Sequence, residues 1–153
     1  MNSKQIIEQY NSAVVSSYGR LDLALESGGG TQGTDADGKT FIDFGSGIGT
    51  NSLGYADSEW ADAVSAQAHK VQHVSNYYYN STAAEFAAKL TEMTGTDKIF
   101  FGNSGAEANE CAIKIARKRS FDKYRDKNRT TIITLVNSFH GRTVTTLSAT
   151  GQE

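Results

Sequence analysis

The 153 residues contain no proline, although ordinary usage of about 5% would place roughly seven or eight in such a chain. That absence removes ring-stiffened turns. Cysteine is nearly missing too. The single residue, Cys111, excludes an intrachain disulfide framework and fits a reducing cytoplasm. No apolar run approaches the roughly 20 residues that span a bilayer, so no membrane partner is expected. Residues 1–10 are polar and charged where a signal peptide would need an apolar stretch. A cytoplasmic location is the expectation. Neither sign of charge dominates: the formal net charge is −2, which gives no reason to expect nucleic acid as partner.

What is present suits a globular chain, with 38% hydrophobic residues, 21% charged residues and 15 glycines. Ile6, Ile7, Tyr10 and Val14 share one face of a helix predicted over 3–16. Alternation predicts a strand over 21–26. Asp37-Gly38 is a hairpin-turn signal, with a returning strand over 40–44. After a glycine-rich loop at 45–54, Trp60, Ala63, Val64, Gln67, Ala68 and Val71 recur at helical spacing. Thr82 and Glu85 make a capping box for a helix that buries Phe86, Leu90 and Met93 and ends at Gly95. Residues 98–101 read as a short strand. A long helix comes next, to about Tyr124, with Ala108, Cys111, Ala112, Ile115 and Ala116 on one stripe, where Cys111 reads as a buried, unreactive thiol. Residues 118–129 form a charged helix end and loop. Residues 130–136 read as a strand covered on both faces, so 98–136 makes a parallel βαβ unit. The fold class is α/β.

Two loops leave these strands at the edge where open α/β sheets bind ligands. In the first, 102–107, Ser104 can cap the long helix while Glu107 reaches back to it. Gly105 and Ala106 then fill a first turn whose N–H groups have no partner inside the helix, and an anion can come close to them. Without a lysine this is not a P-loop. The same residues would also serve a well-capped helix with small residues for packing. In the second loop, 137–143, Phe139 can lie flat against a planar cofactor, and Arg142 can grip a carboxylate through two hydrogen bonds. Alone, these two could equally be a core plug and a surface charge. His69 and His73, four apart on the expected helix, lack a third ligand, so no metal site is expected.

Taken together, 18–20, 37–54, 73–79, 100–117, 138–143 and 148–152 resemble the class III, fold type I, pyridoxal-phosphate-dependent aminotransferases. The segments Asn-Ser-Gly-Ala-Glu-Ala-Asn-Glu at 103–110 and Ser-Phe-His-Gly-Arg-Thr at 138–143 are most similar to the acetylornithine and succinylornithine branch. The resemblance implies a fold and a set of roles. Residues 1–55 would begin the small domain, a helix with antiparallel strands. Residues 56–153 would begin the large cofactor-binding domain, with a mainly parallel sheet and covering helices. Pyridoxal 5'-phosphate would be held by Ser104, Gly105 and Ala106 at its phosphate and by Phe139 at its ring, with His140 and Gly141 shaping that wall. Arg142 would bind the substrate α-carboxylate, and Tyr18 and Asn51 would approach the substrate. The partners implied are a small amino acid and a 2-oxo acid, in a homodimer or larger assembly.

The implied reaction moves an amino group between N-acetylornithine and 2-oxoglutarate in arginine biosynthesis, with succinylornithine, ornithine or 4-aminobutyrate as alternative donors. No catalytic residue is expected in this stretch. The family's Schiff-base lysine and its acidic partner for the pyridine nitrogen come from downstream strands. None of the nine lysines here leaves a predicted strand at its carboxyl end. A non-catalytic folding or dimerisation unit, or a nucleotide-binding βαβ module, are the readings from other classes. The family also usually carries His-x-His-Pro where this chain has Tyr55-Ala56-Asp57-Ser58, and proline near Ser81-Thr82.

Overall fold

A computed structural model describes residues 1–125 and 128–152, so Asp126 and Lys127 of the charged run, and Glu153, lie outside the described residues. The chain divides into two units, Met1–Tyr77 and Tyr78–Glu153.

In the first unit, α1 (Ser3–Ala13) opens on a reciprocal cap: Gln5 N donates to Asn2 Oδ1 at 2.9 Å and Asn2 N to Gln5 Oε1 at 3.0 Å. It ends three residues before the predicted 16, because β-branched Val14 and Val15 disfavour another turn and Val14 is already extended. The sheet has the order β1 (Leu25–Gly29), β2 (Gln32–Asp35), β3 (Thr40–Ile42), with both pairings antiparallel. The predicted Asp-Gly turn joins β2 to β3, where Asp35 Oδ1 accepts from Asp37 N at 3.0 Å and Lys39 N at 2.8 Å. The strand expected over 21–26 is displaced toward the glycines. β2 is only four residues long between two turns, and a turn at Gly30-Thr31 pairs it with 25–29, leaving Leu21 85% exposed.

Residues 45–54 contain the single turn α2 (Ser46–Gly49), which runs through left-handed backbone at Ser46, Gly47, Ile48 and Gly49. Helix α3 (Ser58–Ala68) starts on Asp57, whose carboxylate accepts from Trp60 N at 2.8 Å. His69 is its C-cap and His73 lies beyond it, so the two histidines do not share a helix face as expected.

The second unit begins with α4 (Ser81–Thr94). Its cap is Asn80, which accepts from Ala83 N at 3.1 Å, rather than the expected Thr82–Glu85 box. Asn80 has the extended backbone a cap needs, whereas Thr82 is already helical. Gly95, with φ +68, ends the helix as predicted. Phe86 and Met93, expected to be buried, remain 55% and 74% exposed, because the described residues cover that face only in part. Phe86 meets Phe101 at a ring separation of 6.1 Å. Helices α5 (Gly105–Tyr124) and α6 (Val144–Ala149) complete the unit.

The strands predicted at 98–101 and 130–136 carry no ladder among the described residues. A strand needs a neighbour to bond, and here the second segment gives its first carbonyl to an α5 side chain instead: Arg117 Nε donates to Thr130 O at 3.0 Å. Ala24, Gly33, Gly141 and Thr146 are the buried residues among those described. The accessible surface is 12983 Å² for 16.5 kDa, against about 9,100 Å² for two closed domains of half that mass each. The two units expose apolar faces that neither closes by itself.

Candidate functional site

The start of α5 is set by its sequence. Ser104 is extended, and its hydroxyl oxygen accepts from Glu107 N at 3.2 Å. Glu107 reaches one residue further back than expected. It accepts from Asn103 N and from Asn103 Nδ2, the latter at 3.0 Å, rather than from the cap residue itself. Both bonds leave the N–H groups of Gly105 and Ala106 in a first turn with no upstream carbonyl to take them. A Cβ built on Gly105 meets no heavy atom within 4 Å, so space lies open in front of it. Free N–H groups, the positive end of a 20-residue helix and an uncluttered approach suit an anion of phosphate size.

The loop 138–143 is laid directly against this turn. Gly141 is buried with φ +128, and a Cβ on it would stand 2.6 Å from Ala106 Cβ and 2.7 Å from Thr146 Oγ1. Only glycine permits that approach. Asn109 Nδ2 donates to His140 O at 2.8 Å, and Thr143 Oγ1 donates to Glu110 Oε1 at 2.6 Å. On its other side the loop is held by Thr150 and Gly151, at the end of α6: His140 N donates to Thr150 Oγ1 at 3.0 Å, and Gly151 N to Ser138 O at 2.9 Å. Glu110 is kept below the usual carboxylate range, chiefly by the Thr143 hydroxyl, with Thr145 and Lys114 adding to it against partial desolvation.

Phe139 and Arg142 project from this anchored loop. Phe139 is 53% exposed, and the Arg142 guanidinium lies 5.3 Å from its ring centre. His140 Nε2 is buried and has no hydrogen-bond partner. An open anion cradle, an accessible aromatic face, a neighbouring guanidinium and an unspent imidazole nitrogen fit a planar, phosphate-bearing cofactor with a carboxylate substrate beside it. Ser104, Gly105, Ala106, Phe139, His140 and Arg142 are thus brought together.

Tyr18 and Asn51 lie in the first unit and are described there. Tyr18 lines a cavity of about 500 Å³ between α1 and residues 16–25, where Arg20 stacks 4.7 Å from the Tyr10 ring centre. Asn51 borders a smaller cavity of about 160 Å³ with Thr31, Asp43 and Ser46. The latter is organised by a residue pair that sequence reasoning missed. Asp43 accepts from Gly45 N at 2.7 Å, Ser46 N at 3.0 Å and Tyr55 Oη at 2.9 Å. These bonds hold the Asp43 carboxyl below its usual range, and the bond to Asp43 pushes the Tyr55 phenol up. Asn109 and Glu110 were missed as well. Among the described residues no group of three or more His, Cys, Asp or Glu side chains could hold a metal ion, and no helix is long and apolar enough to cross a membrane.

A family model described as aminotransferase class-III matches residues 14–153. An acetylornithine aminotransferase of Haemophilus ducreyi is 53% identical over 153 residues, covering 100% of this chain and 39% of its own length. One from Nostoc is 45% identical over 145 residues, covering 95% of this chain and 34% of its own. Among solved structures, acetylornithine aminotransferase from Elizabethkingia anophelis superposes with a TM-score of 0.76 at 35% identity, over 80% of this chain and 32% of that one. Ornithine aminotransferase from Toxoplasma gondii does so with a TM-score of 0.92 at 25% identity, over 99% and 36%. The 153 residues therefore span between a third and two fifths of the curated relatives they match.

Proposed function

The chain belongs to the class-III aminotransferases, and from that premise we propose that it forms the N-terminal part of an acetylornithine aminotransferase dependent on pyridoxal 5'-phosphate. The observation that carries this reading is the seating of the Phe139–Arg142 loop on the first turn of α5 through the Gly141–Ala106 contact. One helix start and one loop thereby offer, side by side, the three kinds of contact that such a cofactor and its amino-acid substrate need.

Bound pyridoxal phosphate supplies an electron sink that makes the substrate's α-proton removable. This chain's residues bind and orient. Ser104, Gly105 and Ala106 hold the phosphate dianion against the helix dipole. Phe139 offers a face to the ring, His140 and Gly141 close that wall, and Arg142 takes the α-carboxylate through two parallel N–H bonds. Tyr18 and Asn51 serve the substrate side. No lysine of this stretch is assigned to the proton transfer, so its part is binding and orientation. The enzyme works in the cytoplasm as a homodimer or larger, in arginine biosynthesis.

The substrate assignment rests on the names of the 53% and 45% identical relatives. It is tested by expressing the whole reading frame, loading it with pyridoxal phosphate and comparing kcat/KM for N-acetylornithine, N-succinylornithine, ornithine and 4-aminobutyrate with 2-oxoglutarate as acceptor. N-acetylornithine should lead by at least tenfold. A higher value for any of the other three replaces the assignment, and failure to take up the cofactor overturns the site.

A further inference from the structure

We propose that Asn109 and Glu110 are positioning residues, which fix the ring-stacking and carboxylate-binding loop to the phosphate cradle so that one helix sets all three contacts to a bound molecule. The proposal rests on the reading of the site as a cofactor and carboxylate cradle. Ala106, Asn109 and Glu110 are spaced i, i+3 and i+4, and so share one face of α5. Each touches a different point of the same short loop: Ala106 meets Gly141, Asn109 holds the His140 carbonyl, and Glu110 receives the Thr143 hydroxyl. The two polar contacts therefore bracket Gly141 and Arg142 in sequence. Three fixed points on a rigid helix leave that stretch little freedom to slide or tilt.

The hydrogen-bond directions support the arrangement. Asn109 donates from its amide to a backbone carbonyl, a bond no aliphatic side chain of the same size replaces. Glu110, kept in its acceptor form by Thr143, Thr145 and the Lys114 charge, accepts the hydrogen bond that the Thr143 hydroxyl donates. Thr143 Oγ1 then has a lone pair free for Thr146, 2.7 Å away, whose side chain is fully buried. The loop is thus tied to α5 on one side and to α6 on the other. Alignment to within about an ångström matters at such a site, where a 1 Å misplacement can lower rate a hundredfold.

The test uses the intact gene product loaded with pyridoxal phosphate. The variants are Glu110→Ala, Asn109→Leu and Glu110→Gln, with Ile115→Ala as a control on the same helix away from the loop. Three readouts separate alignment from folding: the dissociation constant for 2-oxoglutarate, the visible circular dichroism of the bound cofactor, and the affinity for pyridoxal phosphate. Glu110→Ala and Asn109→Leu should each weaken 2-oxoglutarate binding at least tenfold and halve the dichroism. Cofactor affinity, governed by the untouched cradle, should fall less than threefold. Glu110→Gln keeps an acceptor oxygen and should recover binding to within threefold of wild type. The proposal is overturned if both deletions bind 2-oxoglutarate as wild type does, or if Ile115→Ala at a matched loss of Tm gives the same defects. A wild-type protein that shows no cofactor band would overturn the site reading itself, and this proposal with it.

Discussion

Two glycines of the site should respond to alanine in opposite ways. At Gly141, φ is +128 and the added Cβ would stand 2.6 Å from Ala106 Cβ, 2.7 Å from Thr146 Oγ1 and 3.0 Å from Ala106 Cα. Backbone strain of about 1–3 kcal/mol and overpacking of about 1–3 kcal/mol then add, since neither neighbour is the flexible end of a long side chain. Gly141→Ala should cost roughly 2–6 kcal/mol. At Gly105 the new Cβ meets nothing within 4 Å, and the residue is already helical. Gly105→Ala should leave stability unchanged or raise it by up to about 1 kcal/mol, through helix propensity and a less flexible unfolded chain. The added methyl enlarges the first helical turn read as the phosphate cradle, so pyridoxal phosphate affinity should fall at least tenfold. Urea unfolding of the intact apoprotein and cofactor titration read the two effects separately. The reasoning is refuted if Gly141→Ala unfolds within about 0.5 kcal/mol of wild type, a shift ordinary for a surface site. It is refuted equally if Gly105→Ala binds the cofactor undiminished.

Asp57→Ala and Asn80→Ala each remove a helix N-cap and should cost about 1 kcal/mol apiece in urea unfolding, roughly additively. The lowered carboxyls predict an acid limb: Glu110 stabilises fully above its unfolded value near 4.5, and that contribution is lost as pH falls through its lower folded value. Glu110→Gln should flatten stability against pH below about 4.5 and leave the slope near neutrality unchanged, as measured by Tm across pH. The 153-residue chain alone should sediment as a dimer or larger species, because its exposed apolar faces ask for cover, and should transfer no amino groups, because none of its nine lysines is placed to hold the cofactor aldehyde. A compact monomer with a cooperative transition would contradict this.

The site was legible where its signals were local. Ser104, three residues before Glu107, fixed the helix start, and Gly95 fixed another helix's end. The cap of α4 was misassigned because Asn80 and Thr82 both satisfy a side-chain pattern, and only backbone conformation separates them. Contacts across 31 and 33 residues, such as those of Asn109 and Glu110, leave no periodic trace in the sequence. The segments 98–101 and 130–136 show the opposite failure. Their composition suits strands, but a strand exists only with a partner to bond, and the described residues contain none for them.

Ser58 and Ser81 occupy the first positions of α3 and α4, and the residues before them, Asp57 and Asn80, supply the capping oxygens. Proline favours that first position, because its ring presets the helical φ. Presetting has a kinetic side, since every X–Pro bond in an unfolded chain divides the population into isomers that exchange over tens of seconds. These helix starts depend on side-chain rotations instead, which settle in nanoseconds or less. An unfolded population of this stretch is therefore uniform in its peptide bonds. No step in the ordering of this stretch waits on an isomerase for its own peptide bonds.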